Sequence, residues 1–153
     1  MPSGLLSGRL STNRLSTKRS LQLIEEIDFS EYQEVLLHVA LCHSVIYDKR
    51  TGKMNSASPD ELALVKGAKV QGFSFEGKDP LGVISVFRAS DKALLKFEHL
   101  NSLEFDSTRK RMSVILRDLQ KNQLVLLSKG ADSVMKQRLN MADLETATFM
   151  RTT

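Results

Sequence analysis

Residues 103–116, LEFDSTRKRMSVIL, place an aromatic, Phe105, shortly before three consecutive cations, Arg109, Lys110 and Arg111. These types can do ligand chemistry: an aromatic face stacks on a flat ring, and a cation answers an anion. They fit equally well a solvated rim with no ligand, with Phe105 in the core. Alternation puts Leu103 and Phe105 on one strand face and Glu104 and Asp106 on the other. The chain then turns through Ser107 and Thr108, and Met112, Val114 and Leu116 resume a single face. The cations therefore sit at the start of a strand, at the edge of a sheet.

Two other clusters invite chemistry and do not support it. His38, Cys42 and His43 suggest zinc, but no second cluster supplies a fourth ligand, and the spacing also fits the faces of a helix. No metal site is expected within the chain. Residues 72–79, GFSFEGKD, have the spacing of a phosphate-binding G-x-x-x-x-G-K loop. The next position must be Ser or Thr to hold magnesium, and here it is Asp79. No Ser/His/Asp or Cys/His arrangement for nucleophilic catalysis is present, so no catalytic residue is expected.

The elements that must position these residues are legible in the periodicity. Apolar residues at 32, 35, 36, 39, 42 and 46 predict a helix over 31–46. Ser58 opens an S-x-x-E capping box with Pro59 at the first helical position and Glu61 three residues after the cap; Leu62, Val65 and Ala68 then share a face, and Gly72 ends the helix. Beyond Gly72 the period changes. GFSFE, LGVISVFR, ALLKFEHL, LEFD, RMSVILR and QLVLLS are short and β-rich, with turns such as RASDK and RDLQKN between them. KGADSVMKQRL reads as a turn into a helix. Close spacing without intervening helices predicts a twisted antiparallel sheet of about six strands flanked by helices, an α+β domain.

Composition narrows the class. The chain has 153 residues, 41% hydrophobic and 26% charged, which suits one domain with a real core. One cysteine excludes an internal disulfide framework, and no apolar run approaches the roughly 20 residues needed to cross a bilayer. The formal charge of +4 resides in the first 20 residues, where Arg9, Arg14, Lys18 and Arg19 meet no acidic residue. The remainder is balanced, so nucleic acid is not an expected partner. Residues 1–30 read as a basic, Ser/Thr-rich, disordered arm or linker carrying RLST twice; its composition also resembles a transit peptide. Residues 31–153 form the folded domain.

Three segments read together, SPDELALV at 58–65, FDSTRKRMSV at 105–114 and LLSKGADSVM at 126–135, resemble in order and content the nucleotide-binding domain of P-type ATPases. Within that superfamily they are similar to type IV, the phospholipid flippases. The resemblance implies ATP in a pocket over the antiparallel sheet. Phe105 would stack on adenine, Glu61 would face its amino group, Ser107 and Lys110 would line the nucleotide toward its phosphates, and Lys129 would sit against the ring and ribose. Magnesium would arrive with the nucleotide, its ligands outside this chain. DKRTGK at 48–53 resembles the family's phosphorylated D-K-T-G-T, but Arg50 is inserted and Lys53 replaces the final Thr, so Asp48 reads as a loop residue. The family's G-L-R-T-L segment is missing, so the resemblance implies a domain truncated at its C-terminus. It also implies a soluble segment at the cytosolic face of a membrane, with phosphorylation, actuator and membrane domains as partners and phospholipid met only through them. Alone, such a chain should form no phosphoenzyme and move no lipid. A stand-alone nucleotide sensor or interaction module is the alternative.

Overall fold

The computed structural model describes residues 29–139. All but the last two residues of the expected basic arm, and the stretch from 140 onward, lie outside the described residues. The chain divides into two compact units, 1–35 and 36–153. Of the first, only the opening of a helix is described.

That helix, α1 (Phe29–Leu41), stops five residues before the predicted end at 46. His43 supplies the physical reason. One ring nitrogen, Nε2, bonds the Ala40 carbonyl at 2.9 Å, and Nδ1 accepts from the Val45 backbone N–H at 3.1 Å. This imidazole closes the helix end and turns the chain outward. Residues the apolar pattern assigned to helix instead enter a small hairpin, β1 (Ile46–Asp48) and β2 (Lys53–Asn55), which the sequence did not predict. Asp48 builds its turn, accepting from Arg50 N–H at 2.9 Å and Thr51 Oγ1 at 2.8 Å, and Gly52 takes the left-handed φ of +68°. Asp48 is thus a turn former, as its departure from the phosphorylation motif implied.

Helix α2 (Pro59–Val70) begins where the sequence places it. Ser58 Oγ accepts from Glu61 N–H at 3.3 Å, and Gly72, at φ +96°, lets the chain leave the helix. The main sheet is an antiparallel meander of five strands in chain order: β3 (Phe73–Lys78), β4 (Val83–Arg88), β5 (Ala93–Asp106), β6 (Arg111–Asp118) and β7 (Gln123–Gly130). The predicted strands at 93–100 and 103–106 are one element. Asn101 and Ser102 look like turn residues, yet they are absorbed as a register shift between His99 and Asn101, held by His99 Nε2 on Ser102 Oγ at 2.7 Å. The count of about six therefore becomes five strands plus the hairpin. The phosphate-loop look-alike at 72–79 is mostly β3 itself. Among the described residues, β7 is followed by α3 (Asp132–Met135) and a 3₁₀ turn (Lys136–Arg138), shorter than the helix expected.

The core lies against one face of the sheet. Met112, Val114 and Leu116 alternate inward from β6 and join Phe73, Phe75, Ile84, Val86 and Phe97 from the other strands. Leu36, Ala40 and Leu41 of α1 and Val65 and Ala68 of α2 complete it. At a typical gain of roughly 1.5–3 kcal/mol per buried large apolar side chain, this cluster fixes both helices to the sheet and so fixes the residues between them.

Candidate functional site

Glu61 lies in the first turn of α2 and is buried. Its carboxylate does not reach back to the cap, because the Ser58 backbone N–H is taken by Ser56 Oγ at 3.2 Å. Only half of the capping box forms, and the carboxylate is free to look elsewhere. Its Oε1 meets Lys129 Nζ at 2.7 Å. Its Oε2 accepts from Ser44 Oγ at 2.7 Å and from Ser56 Oγ at 3.2 Å. Burial alone would raise the carboxyl pKa; the Lys129 ammonium and the Ser44 hydroxyl and backbone outweigh it and hold the group down at about 2. At neutral pH it is an anion that can only accept hydrogen bonds. An ionised carboxylate has about four acceptor positions; here Oε2 meets two hydroxyls, and Lys129 is the one side chain bonded to Oε1 among the described residues.

Lys129 comes from the end of β7, next to Gly130. The glycine is there for space rather than for φ. A Cβ at 130 would lie 2.5 Å from the Lys110 carbonyl oxygen and 2.6 Å from Arg111 Cβ. This close approach, with Ala131 N–H donating to the same carbonyl at 3.0 Å, joins the KGAD segment directly to the cation cluster.

The cation cluster sits on a turn built by Asp106. Its side chain accepts from Thr108 N–H at 2.9 Å and Arg109 N–H at 2.7 Å, and its carbonyl accepts from Lys110 N–H at 2.7 Å. The turn over 107–110 closes with Lys110 at φ +51°. The same device recurs at 119–122, where Asp118 accepts from Gln120 and Lys121 N–H and Asn122 takes φ +51°. The left-handed residue turns its side chain away from the strand line, and Lys110 is exposed with no ion-pair partner among the described residues. Arg109 is spent locally on the Glu104 carbonyl and Asp106, and Arg111 on the Arg109 carbonyl.

Phe105 is 63% exposed, so it is not the core residue that its alternation also allowed. The register shift between Leu103 and Asp106 places Glu104 and Phe105 across from Met112, whose partner on the other side is Lys129. At 4.7–4.9 Å per strand, Phe105 and Lys129 are about 10 Å apart in one cross-strand row. Of the predicted site residues, the structure joins Glu61 and Lys129 in contact, sets Phe105 in the same row, and carries Ser107 and Lys110, both exposed, on the adjoining turn.

A cavity of about 440 Å³, within the size range of small-molecule sites, opens next to Ser44. Ser44 on its wall bonds Glu61, so the cavity adjoins the carboxylate, while Glu61, Phe105, Ser107, Lys110 and Lys129 are not among its lining residues. His43 also lines it and stands edge-on to Phe75, ring centres 4.5 Å apart. Burial pushes the His43 imidazole down to about 4, in keeping with its helix-closing role as a neutral ring. Cys42 is buried, donates to the Leu127 carbonyl at 3.7 Å, and has its thiol raised to about 11 chiefly by burial. A more open depression of about 560 Å³ shares Tyr47 with this cavity and, like it, is lined by none of the predicted site residues.

Sequence reasoning missed Ser44, Ser56, Asp106 and Gly130. Asp106 and Asp118 each start a stretch of four turn residues, a visible signal. Ser44 offers none, because it meets Glu61 only through the packing of α1 and α2 on the sheet.

The family model described as "P-type ATPase, cytoplasmic domain N" matches residues 31–143. The chain belongs to this P-type ATPase N-domain family. Among relatives of the N domain, "Phospholipid-transporting ATPase 10" of Arabidopsis thaliana is 44% identical over 110 residues, covering 66% of this chain and 9% of that protein. "Phospholipid-transporting ATPase tat-1" of Caenorhabditis elegans is 43% identical over 108 residues, 69% of this chain and 9% of its own. "Phospholipid-transporting ATPase DNF1" of Saccharomyces cerevisiae is 40% identical over 118 residues, 71% and 7% respectively. The chain spans about a tenth or less of the length of these relatives. Among the described residues of this N domain, no helix is long and apolar enough to cross a membrane.

Proposed function

We propose that this N domain binds ATP on behalf of a type IV, phospholipid-translocating P-type ATPase, presenting the nucleotide to an aspartate outside this chain. The observation that carries the reading is Phe105: a large aromatic left 63% exposed on a strand, in the same cross-strand row as Lys129, whose ammonium pairs with the buried Glu61. Burying that ring is favourable, and a purine offers a face to stack on it. The Glu61 carboxylate, an acceptor only, suits the amino group of adenine. A guanine would present a carbonyl oxygen there, facing an anion. Lys110 stands free to answer a phosphate, and Ser107 lies beside it. Lys129 serves the site through Glu61 as well as by its closeness to ring and ribose.

Magnesium accompanies the nucleotide in this reading. Among the described residues no group of three or more His, Cys, Asp or Glu side chains could hold a metal ion, so the reading assigns it no ligand there. The partners would be the phosphorylation, actuator and membrane domains of the parent transporter, with phospholipid reached only through them.

The test is Phe105→Ala in the 153-residue chain, followed by titration with ATP. Because the ring is exposed, the fold should be unchanged. Loss of stacking should weaken ATP by about 1–3 kcal/mol, and Phe105→Tyr should keep most of the affinity. A folded alanine variant that binds ATP like the wild type overturns the stacking role.

A further inference from the structure

Resting on that reading of the site, we infer that Ser44 determines base specificity: its Oγ accepts a hydrogen bond from the exocyclic amino group of adenine, alongside Glu61. A hydroxyl has one hydrogen and two lone pairs. The hydrogen of Ser44 is committed to Glu61 Oε2 at 2.7 Å, the shortest contact that this oxygen makes with a side chain. The hydroxyl can therefore offer an incoming ligand only acceptor positions. Ser44 is exposed and lines the cavity of about 440 Å³, so those positions are open to a ligand that enters there. An amino group has two hydrogens. One meets Glu61 Oε1, which carries one side-chain partner where Oε2 carries two, and the other meets Ser44 Oγ.

Ser56 is the internal control. It also bonds Glu61 Oε2, at 3.2 Å, but one of its two lone pairs is already in use, since it accepts the Ser58 backbone N–H at 3.2 Å, and it does not line the cavity. Two serines thus hold the same carboxylate oxygen, and only one faces the ligand space. If their role were merely to orient Glu61, removing either should have the same effect on base choice. A direct contact makes Ser44 alone sensitive.

The experiment measures binding of ATP, GTP and the triphosphate of unsubstituted purine riboside, which lacks the amino group, to the 153-residue wild type and to Ser44→Ala, Ser44→Thr, Ser44→Cys and Ser56→Ala. Ser44→Ala should weaken ATP by about three- to tenfold, the range of one hydrogen bond, and leave the unsubstituted purine nucleotide unchanged. The ATP preference therefore narrows. Ser44→Thr keeps the hydroxyl and should restore the preference. Ser44→Cys keeps the volume with a poor acceptor and should behave like alanine, which covers the case in which the alanine variant does not fold. Ser56→Ala should leave the ATP-to-purine ratio at its wild-type value. Equal weakening of all three nucleotides by Ser44→Ala, or the same change in ratio for Ser56→Ala, overturns the inference. Absence of ATP binding by the wild type overturns the proposed function itself; ATP binding with a ratio insensitive to Ser44 overturns this inference alone.

Discussion

Replacing Gly130 with alanine tests whether the KGAD segment and the cation turn are joined as described. The added Cβ would lie 2.5 Å from the Lys110 carbonyl oxygen, 2.6 Å from Arg111 Cβ and 2.9 Å from Arg111 Cα. Two of these three atoms are backbone, so the overlap cannot be relieved by a rotamer change. The end of β7 must move away, and the 3.0 Å bond from Ala131 N–H to Lys110 is lost or stretched. Overpacking costs about 1–3 kcal/mol and the hydrogen bond about 1. Alanine recovers about 0.4–1 kcal/mol by restricting the unfolded chain. The net is about 2–3 kcal/mol, which at roughly 4 °C per kcal/mol for a domain of this size lowers the melting temperature by about 8–12 °C. Gly67→Ala is the opposite case. It lies within α2 with nothing within 4 Å of its Cβ, and should stabilise by about 0.5–1 kcal/mol. Thermal unfolding followed by circular dichroism reads both. Gly130→Ala melting with the wild type would show that the close approach does not constrain the chain.

The Glu61 pair predicts an acid transition of defined sign. The folded carboxyl is held near 2 against an ordinary 4.5, so its stabilisation is complete above about pH 4.5 and disappears as pH falls toward 2. Lys129 is partly exposed, and solvent screening limits the contribution to about 1–2 kcal/mol; denaturant unfolding at several pH values should show this loss in the wild type and not in Glu61→Gln, and parallel profiles would contradict it. Lys110→Gly should leave stability within about 0.5 kcal/mol of wild type, because relief of a left-handed residue, roughly 1 kcal/mol, is offset by glycine's greater unfolded freedom. The same variant should bind ATP several-fold more weakly, and unchanged ATP affinity would remove Lys110 from the phosphate end.

How much of this was legible depended on the range of the interactions involved. The start of α2 is set by Ser58 and Pro59 within one turn of chain, and the period of two in β6 by its own alternation; both could be read directly. The end of α1 could not, because it depends on His43 bonding Ala40 and Val45 rather than on apolar spacing. The fusion of two predicted strands into β5 was hidden because Asn101 and Ser102 carry turn chemistry that a bulge also uses. At the site, the segments bearing Glu61, Phe105 and Lys129 stood out by resemblance. The contact between Glu61 and Lys129, and the part played by Ser44, are tertiary and have no local signature.

The turns of the main sheet have a consequence for how the chain orders itself. The links at 79–82, 89–92, 107–110 and 119–122 all have the same short length, and each ends in a left-handed residue, Gly82, Lys92, Lys110 or Asn122. Short links make each hairpin cheap to close, since the entropy lost on joining two points of a chain grows with the length between them. The meander can therefore zip from neighbour to neighbour. The Glu61–Lys129 bridge spans 68 positions and gains nothing from that zipping. A ligand held at the bridge would thus clamp a long-range closure that the hairpins leave unsecured, fastening α2 to the far edge of the sheet.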